Sequence, residues 1–451
     1  MSTIPPSDPV VDTPRMAEHA PAHRANQPTM RPHEFSQPTL DLIERAVLVT
    51  DANKRQTLSG LPIIFRMICT FLLRLQKGGL ILALPNGRVL RFQGALEQEA
   101  LGIICVRDYA FARRTLLGGD IAFFEAYADD QWDTPDLAGC LYVLARNADH
   151  LQDAFEAIPA VTWLDAMRHN FNKNTKAGSK KNIMAHYDLG NAFYEQWLDP
   201  SMTYSSALFL PQDGDLTRAQ ENKYAHLAEH IDLKPGESVL EIGSGWGGFA
   251  EYAAKHREAR VTGITISEAQ YDYARKRIFQ AGLNEKVDFQ LRDYRDVDGQ
   301  FDKIASIEMF EAVGKEYWPT YFAKVHQSLR PGGVAGFQVI TIADRFFKVY
   351  ERSTDFIQRY VFPGGMLPSP NLLRDQIEAQ GLKWQSHSTF GVHYADTLKS
   401  WHERFLKRWD DIRPLGFDDR FRKLWRFYLA YCEAGFRAGT TDVYQLSAVK
   451  A

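Results

Sequence analysis

The first 38 residues show no apolar periodicity and hold eight of the chain's 21 prolines. Such a segment buries too little surface to offset the entropy lost on ordering, so residues 1–40 are expected to be a disordered tail. The most apolar stretch runs from Leu61 to Leu84, but Arg66, Arg74, Gln76, Lys77 and the pair Gly78-Gly79 interrupt it. A bilayer span needs about 20 nearly uninterrupted apolar residues. The stretch therefore reads as a buried amphipathic helix followed by a strand, with a helix lying on a lipid surface as the alternative. From Gly78, GGLILALPNGRVLRFQG reads as two strands about an Asn86-Gly87 turn. Helical spacing follows from Asp108 to Ala148, and residues 41–160 read as a small α+β domain.

Residues 168–182, RHNFNKNTKAGSKKN, carry five Lys/Arg and no acid. This composition suits an exposed basic linker over 161–185, and it also suits contact with an anion or a phospholipid headgroup. From 186 the rhythm changes to alternating strands and helices. SVLEIGSGWGGFAEYAAKH and ARVTGITISEAQYDYARKRIFQAG each read as strand, turn and helix, and KVDFQLRDY, FDKIASIEMF and GGVAGFQVITI add three strand candidates. The expected fold is a doubly wound, mostly parallel, Rossmann-like α/β sheet. The remainder, from about 346, reads as mostly helical and aromatic-rich, so 186–451 forms one unit with a helical insertion and C-terminal cover.

Charge is nearly balanced, with 53 Lys+Arg against 56 Asp+Glu, which argues against a general nucleic-acid binder. Four cysteines lie far apart with no C-x-x-C pair, and no H-E-x-x-H string or Asp/His cluster suggests a metal. Without the apolar region of a signal peptide, the reading is cytoplasmic.

The strongest local signal is VLEIGSGWGG, residues 239–248. An apolar strand ends in Glu241, and Gly243, Gly245 and Gly247 then let the backbone approach a ligand closely. A carboxylate two residues before the first glycine repels a pyrophosphate but suits a cationic ligand. The string resembles motif I of the class I S-adenosylmethionine-dependent methyltransferases, where the turn passes under the amino-acid end of the cofactor. Many of these end their second strand in an acid that holds the ribose. Here Thr265 and Gln270 stand in that region as hydrogen-bonding substitutes, and Asp293 and Tyr294 are placed to meet the adenine edge.

Read with HYDLGNAFYEQWLDPSMTYSSALF (186–209), SIEMFEAVGKEYWPTYF (306–322), YVFPGGMLPS (360–369) and YCEAGFRAG (431–439), the G-I-T-I-S-x-x-Q string narrows the match. The chain resembles the cyclopropane-fatty-acyl-phospholipid synthases. That resemblance implies methyl transfer to the double bond of an unsaturated phospholipid acyl chain. It also implies an N-terminal lipid-associated domain, peripheral attachment to the inner face of the membrane, and allows a homodimer. The basic-aromatic run RFRKLWRFYLAY (420–431) is expected to help meet the bilayer.

Such chemistry needs a dry, apolar site with π-faces for a cation, and a base for a methyl proton. In the family bicarbonate is thought to be that base. The resemblance maps its ligands onto Glu311, Tyr394 and the backbone of Ile342, with Tyr204 and Ser205 placed at the cofactor. Two positions depart: Ser206 replaces a cysteine and Ile340 a histidine. An isoleucine removes a donor that favours a bound anion, which weakens the case for bicarbonate, with Gln338 or Glu311 as candidates to compensate. The departures admit a methylene- or methyl-branched product in place of a ring. A lipid-binding scaffold with an inactive methyltransferase domain, or a methyltransferase for another small acceptor, are the rival readings.

Overall fold

The computed structural model describes residues 35–150, 189–211 and 214–451. The basic linker and most of the proline-rich tail lie outside them. The tail reading is cut short at its end, where Gln37–Glu44 is helical with a proline in its first turn, a position that spends no hydrogen bond.

The first sheet comprises β1 (Val47–Leu48), β2 (Lys77–Ala83), β3 (Val89–Gln93), β4 (Leu96–Val106) and β5 (Trp132–Asp133), in the order β1-β3-β2-β4-β5. The β2–β3 hairpin closes at Asn86-Gly87, with Gly87 at φ +82°, as the turn residues require. Ahead of it, Ile63–Leu72 is a helix that buries Phe65, Cys69 and Leu72. The helical reading of 108–148 needs correction. Helix Ala110–Ala128 kinks at Gly119 (φ 61°, ψ −144°), and Trp132–Asp133 then pairs with β4. Trp132 is fully buried and donates its indole N–H to the Phe123 carbonyl at 2.9 Å. The Asp136 carboxylate accepts from Gly139 N–H and starts helix Leu137–Arg146.

The second sheet is doubly wound: β6 (Ser238–Ile242), β7 (Arg260–Thr265), β8 (Val287–Leu291), β9 (Phe301–Ile307), β10 (Leu329–Ile342), β11 (Leu382–Thr389) and β12 (Thr441–Lys450). Their order is β11-β12-β10-β9-β6-β7-β8. Strands β6 to β10 pair in parallel, whereas β12 lies between β10 and β11 and is antiparallel to both. The mostly helical reading beyond 346 missed β11 and β12. Each finds its partner far away in sequence, so no local hairpin signal announces it.

Helix Asp419–Ala438 packs against Ala110–Ala128 and Leu137–Arg146 on one side, and against Gly391–Lys407 and β12 on the other. Phe427 meets Phe123, Phe124 and Tyr127, while Arg420 and Lys423 each reach 2.6 Å from Asp129 and Asp130. This corrects the expected bilayer role of 420–431. Trp425, Phe427, Tyr428 and Leu429 are buried, so the aromatic face is spent on packing between the two sheet units. One of the apolar clusters runs from Val49 to Val443 across both. No described helix is long and apolar enough to cross a membrane.

Candidate active site

A cavity of about 970 Å³ runs from the carboxyl ends of β6, β7 and β9 to the apolar helices of the first sheet unit. That is the upper end of the range for ligand pockets, roughly 300–1,000 Å³. Its position at the strand ends is where open α/β sheets bind ligands. Glu241, Gly243, Gly245, Thr265, Gln270, Asp293 and Tyr294 line one end. Tyr204, Ser205, Glu311, Ile342 and Tyr394 line the middle, and Ile68, Phe71 and Leu116 the far end. Ser206 and Gly247, both singled out from the sequence, stand behind the wall rather than in it.

The cofactor turn is built as its sequence demands. Gly243, Gly245 and Gly247 have φ of +80°, +52° and +84°, and Gly247 opens helix Gly248–His256. A side chain at Gly243 would press into Met309 Cγ at 2.7 Å, while one at Gly245 would meet nothing within 4 Å, so the turn is open there. Glu241 is buried, and one of its oxygens, Oε2, has no hydrogen-bond partner among the described residues. Burial pushes its carboxyl up to about 8, against the pull of Arg277, the Ala250 N–H and Lys223. An orphaned carboxylate oxygen beside an open glycine turn fits a cationic amino group. Thr265 Oγ1 donates to Gln270 Oε1 at 2.9 Å, which turns the amide nitrogen away from Thr265. Asp293 is already held by the Arg295 guanidinium through bonds of 2.8 and 2.6 Å, so an adenine contact would add to a paired carboxylate.

Around the mapped anion ligands the structure brings together a group that the sequence reading missed. Glu308 Oε1 accepts from the Ser206 N–H at 2.8 Å and from Gln338 Nε2 at 2.7 Å, and Oε2 accepts from the Tyr394 hydroxyl at 2.7 Å. The Ser206 hydroxyl is spent on the Ala207 carbonyl, so only its backbone serves the site. Ile342 N–H donates to Pro368, and it is the Ile340 N–H that donates to Glu311. Glu311 Oε2 has no partner among the described residues.

Glu308 sits at the end of β9 with φ +49°, a left-handed conformation that costs a non-glycine residue about 1–2 kcal/mol. Each hydrogen bond to its carboxylate contributes about 1.5–3 kcal/mol, enough to hold it there. Burial raises both acids of the pair. For Glu308, the Lys223 charge, the Ser206 N–H, Tyr394 and Gln338 all oppose the rise. Glu311 has the Ile340 N–H, and the charge on Glu308 adds to its burial, so its carboxyl reaches about 8. Lys223 and three hydrogen-bond donors thus favour charge on Glu308, whereas burial and the neighbouring acid disfavour it on Glu311. Burial and the Glu308 charge keep the Tyr394 phenol well above its ordinary range, protonated and donating.

Lys223 was also missed. It is fully buried, donates to Ser205 Oγ at 2.6 Å, and burial pushes it down to about 7. Its signal was legible. On helix Leu216–His230 the buried positions include Leu216, Ala219, Lys223 and Leu227, so a lysine occupies the apolar stripe. Glu308 carried a weaker signal, lying three residues before Glu311 at a strand end. Two neighbouring polar side chains are otherwise engaged or buried. His393 Nδ1 accepts the Phe209 N–H at 3.0 Å, and burial pushes the Cys432 thiol up.

Comparison with known proteins decides the family. The family described as mycolic acid cyclopropane synthetase matches residues 174–446. The chain belongs to this family. It is 39% identical over 371 residues to the tuberculostearic acid methyltransferase of Mycobacterium tuberculosis, covering 79% of this chain and 85% of that one. It is 35% identical over 354 residues to the cyclopropane-fatty-acyl-phospholipid synthase of Escherichia coli, covering 78% and 89%. Among solved structures, the cyclopropane synthase MmaA2 of Mycobacterium tuberculosis superposes with a TM-score of 0.57 at 28% identity, over 60% of this chain and 98% of that one. The mycolic acid cyclopropane synthase CmaA1 complexed with SAH and CTAB gives the same values. The protein is thus an S-adenosylmethionine-dependent methyltransferase of lipid acyl chains with a class I fold. The cofactor supplies an electrophilic methyl on a positively charged sulfur. Glu241 and the glycine turn could hold its amino-acid end.

Proposed function

We propose that the protein transfers a methyl(ene) group from S-adenosylmethionine to the double bond of an unsaturated acyl chain in a membrane phospholipid, giving a cyclopropane chain. The observation that carries this reading is the juxtaposition, in one cavity, of the cofactor turn, a buried carboxylate pair and a long apolar extension. The π electrons of the olefin form the new carbon–carbon bond, leaving positive charge on the neighbouring chain carbon. The residues here act on that charge. Apolar walls exclude water that would quench it, the faces of Tyr394 and its stacked neighbour Phe436 (4.5 Å) offer π density, and the Glu308 charge stabilises it at short range. Loss of a proton from the new methyl then closes the ring.

A methylene-branched product is a second reading, supported by Ile340 and Ser206 in place of histidine and cysteine and by the relationship to a tuberculostearic acid methyltransferase. A hydride shift toward the cationic carbon makes a tertiary cation. Loss of a methyl proton then leaves a vinylidene group. Incubating the purified protein with methyl-labelled donor and unsaturated phospholipid vesicles tests both. Label in the hydrocarbon tails supports acyl methylation, upfield ring protons in the NMR spectrum mean cyclopropane, and vinylidene signals mean the branch. Absence of label in the tails overturns the proposal.

A further inference from the structure

We infer that Glu308 is a resident base, a side-chain carboxylate that takes the proton from the transferred methyl and frees this enzyme from any need for bicarbonate. The inference rests on the acyl-methylation reading above and deepens it. Three observations converge. First, donors from three separate parts of the chain, the Ser206 N–H, the Gln338 amide and the Tyr394 hydroxyl, all end on this one carboxylate at 2.7–2.8 Å. Position 206 and Tyr394 belong to the set mapped from sequence onto a bound anion, so the side chain already supplies the charge that such an anion would bring. Second, the donors that favour an ionised carboxylate are themselves fixed. Gln338 is itself held by Gln445 Nε2 at 2.8 Å, and Gln445 in turn by His226 at 2.6 Å, which fixes the amide with its N–H end toward Glu308. The buried Lys223 favours the charged form. Third, the backbone of Glu308 is left-handed, a conformation that glycine adopts freely and glutamate does not. The fold holds an acid at a strained position on the cavity wall, the pattern of a functional group rather than a packing one.

The step balances without an external reagent. A C–H bond of the new methyl breaks, and its electron pair forms the bond that discharges the cation. The proton goes to the Glu308 carboxylate, which has one lone pair on Oε2 beyond that engaged by Tyr394. Return of this proton to water after product leaves restores the site.

The test uses the full chain, methyl-labelled S-adenosylmethionine and vesicles of unsaturated phospholipid, in buffer freed of carbon dioxide. Wild-type turnover should change by less than about twofold when bicarbonate is restored, against the roughly 10²–10⁴-fold that a lost general base costs. Glu308→Gly relieves the left-handed strain, so it should fold, and it leaves a hole the size of a small carboxylate. Its turnover should fall by about 10²–10⁴-fold and recover at least about tenfold on adding bicarbonate or formate. Formate should leave the wild type unchanged. A purely structural role would not give rescue by small carboxylates. A wild type active only with bicarbonate overturns the inference alone, as does a Glu308→Gly variant that keeps its turnover or takes no rescue. A wild type that labels no lipid with or without bicarbonate overturns the acyl-methylation reading and this inference with it.

Discussion

Binding of S-adenosylmethionine near pH 7 should expel a fraction of a proton, and Glu241 should be its principal source. In the free protein burial holds this carboxyl at about 8. One unit above the working pH leaves it about 90% neutral, and ionising it costs about 1.4 kcal/mol. A cationic amino group against its unpartnered Oε2 favours the charged form, and an opposite charge at hydrogen-bond range lowers a carboxyl by about 1–3 pH units. A bound value of about 5–7 then gives release of roughly 0.4–0.9 proton from Glu241 at pH 7. The donor's own amine, of ordinary pKa about 7.7–8.0, is mostly protonated already, and its uptake offsets only about 0.1–0.2. Lys223, lowered to about 7 in the same buried region, feels both new charges, the cation lowering it and the ionised Glu241 raising it, so the two effects oppose. The net expectation is about 0.2–0.8 proton, with affinity rising by up to about sevenfold from pH 6 to pH 7. Titration calorimetry in buffers of different ionisation enthalpy reads the number directly from the slope of heat against that enthalpy. Glu241→Gln should flatten the slope and weaken binding. A slope near zero for the wild type, or an unchanged slope in Glu241→Gln, refutes the reasoning.

Tyr394→Phe removes one donor from the Glu308 carboxylate and should destabilise the ionised form by about 1.5–3 kcal/mol. The acidic limb of the turnover–pH profile should move upward by one to two units, each about 1.36 kcal/mol; an unmoved limb separates Tyr394 from the titrating group. Glu311→Gln imitates the neutral acid that the structure favours at pH 7, so it should reduce kcat far less than Glu308→Gln, as steady-state kinetics will show. Equal losses would place the charge on both acids. Stability of the donor-free protein should fall as pH rises from about 5 to 7. Glu241 and Glu311, ordinarily near 4.5, stand at about 8 when folded, so their contribution is complete below 4.5 and lost as pH climbs through 8. Lys223 works oppositely, adding stability between its folded value of about 7 and its ordinary 10.5. From these three groups, thermal melts should decline to pH 7, decline less steeply to about pH 8 and recover above it; a rise between pH 5 and 7 contradicts the assignment.

Local sequence determined the parts of this protein that are local in space. The β6 turn is legible because an apolar strand, one acid and four glycines within ten residues fix its backbone and the place of its acid. The Asn86-Gly87 hairpin and the helix at Ile63–Leu72 follow from turn chemistry and a 3.6-residue stripe in the same way. What tertiary structure alone decided are the relations between distant residues. Strand β12 enters the sheet between β10 and β11 because backbone pairing is indifferent to sequence separation. The 420–431 run looks like a membrane face until Phe123, Phe124 and Tyr127 are seen to occupy it. Glu311 was found by pattern, but its protonation was not, since that depends on burial and on Glu308 three residues away. The three donors that meet at Glu308 come from positions 206, 338 and 394. Charge in a low-dielectric interior is set by what surrounds it in three dimensions, and only the folded chain assembles those surroundings.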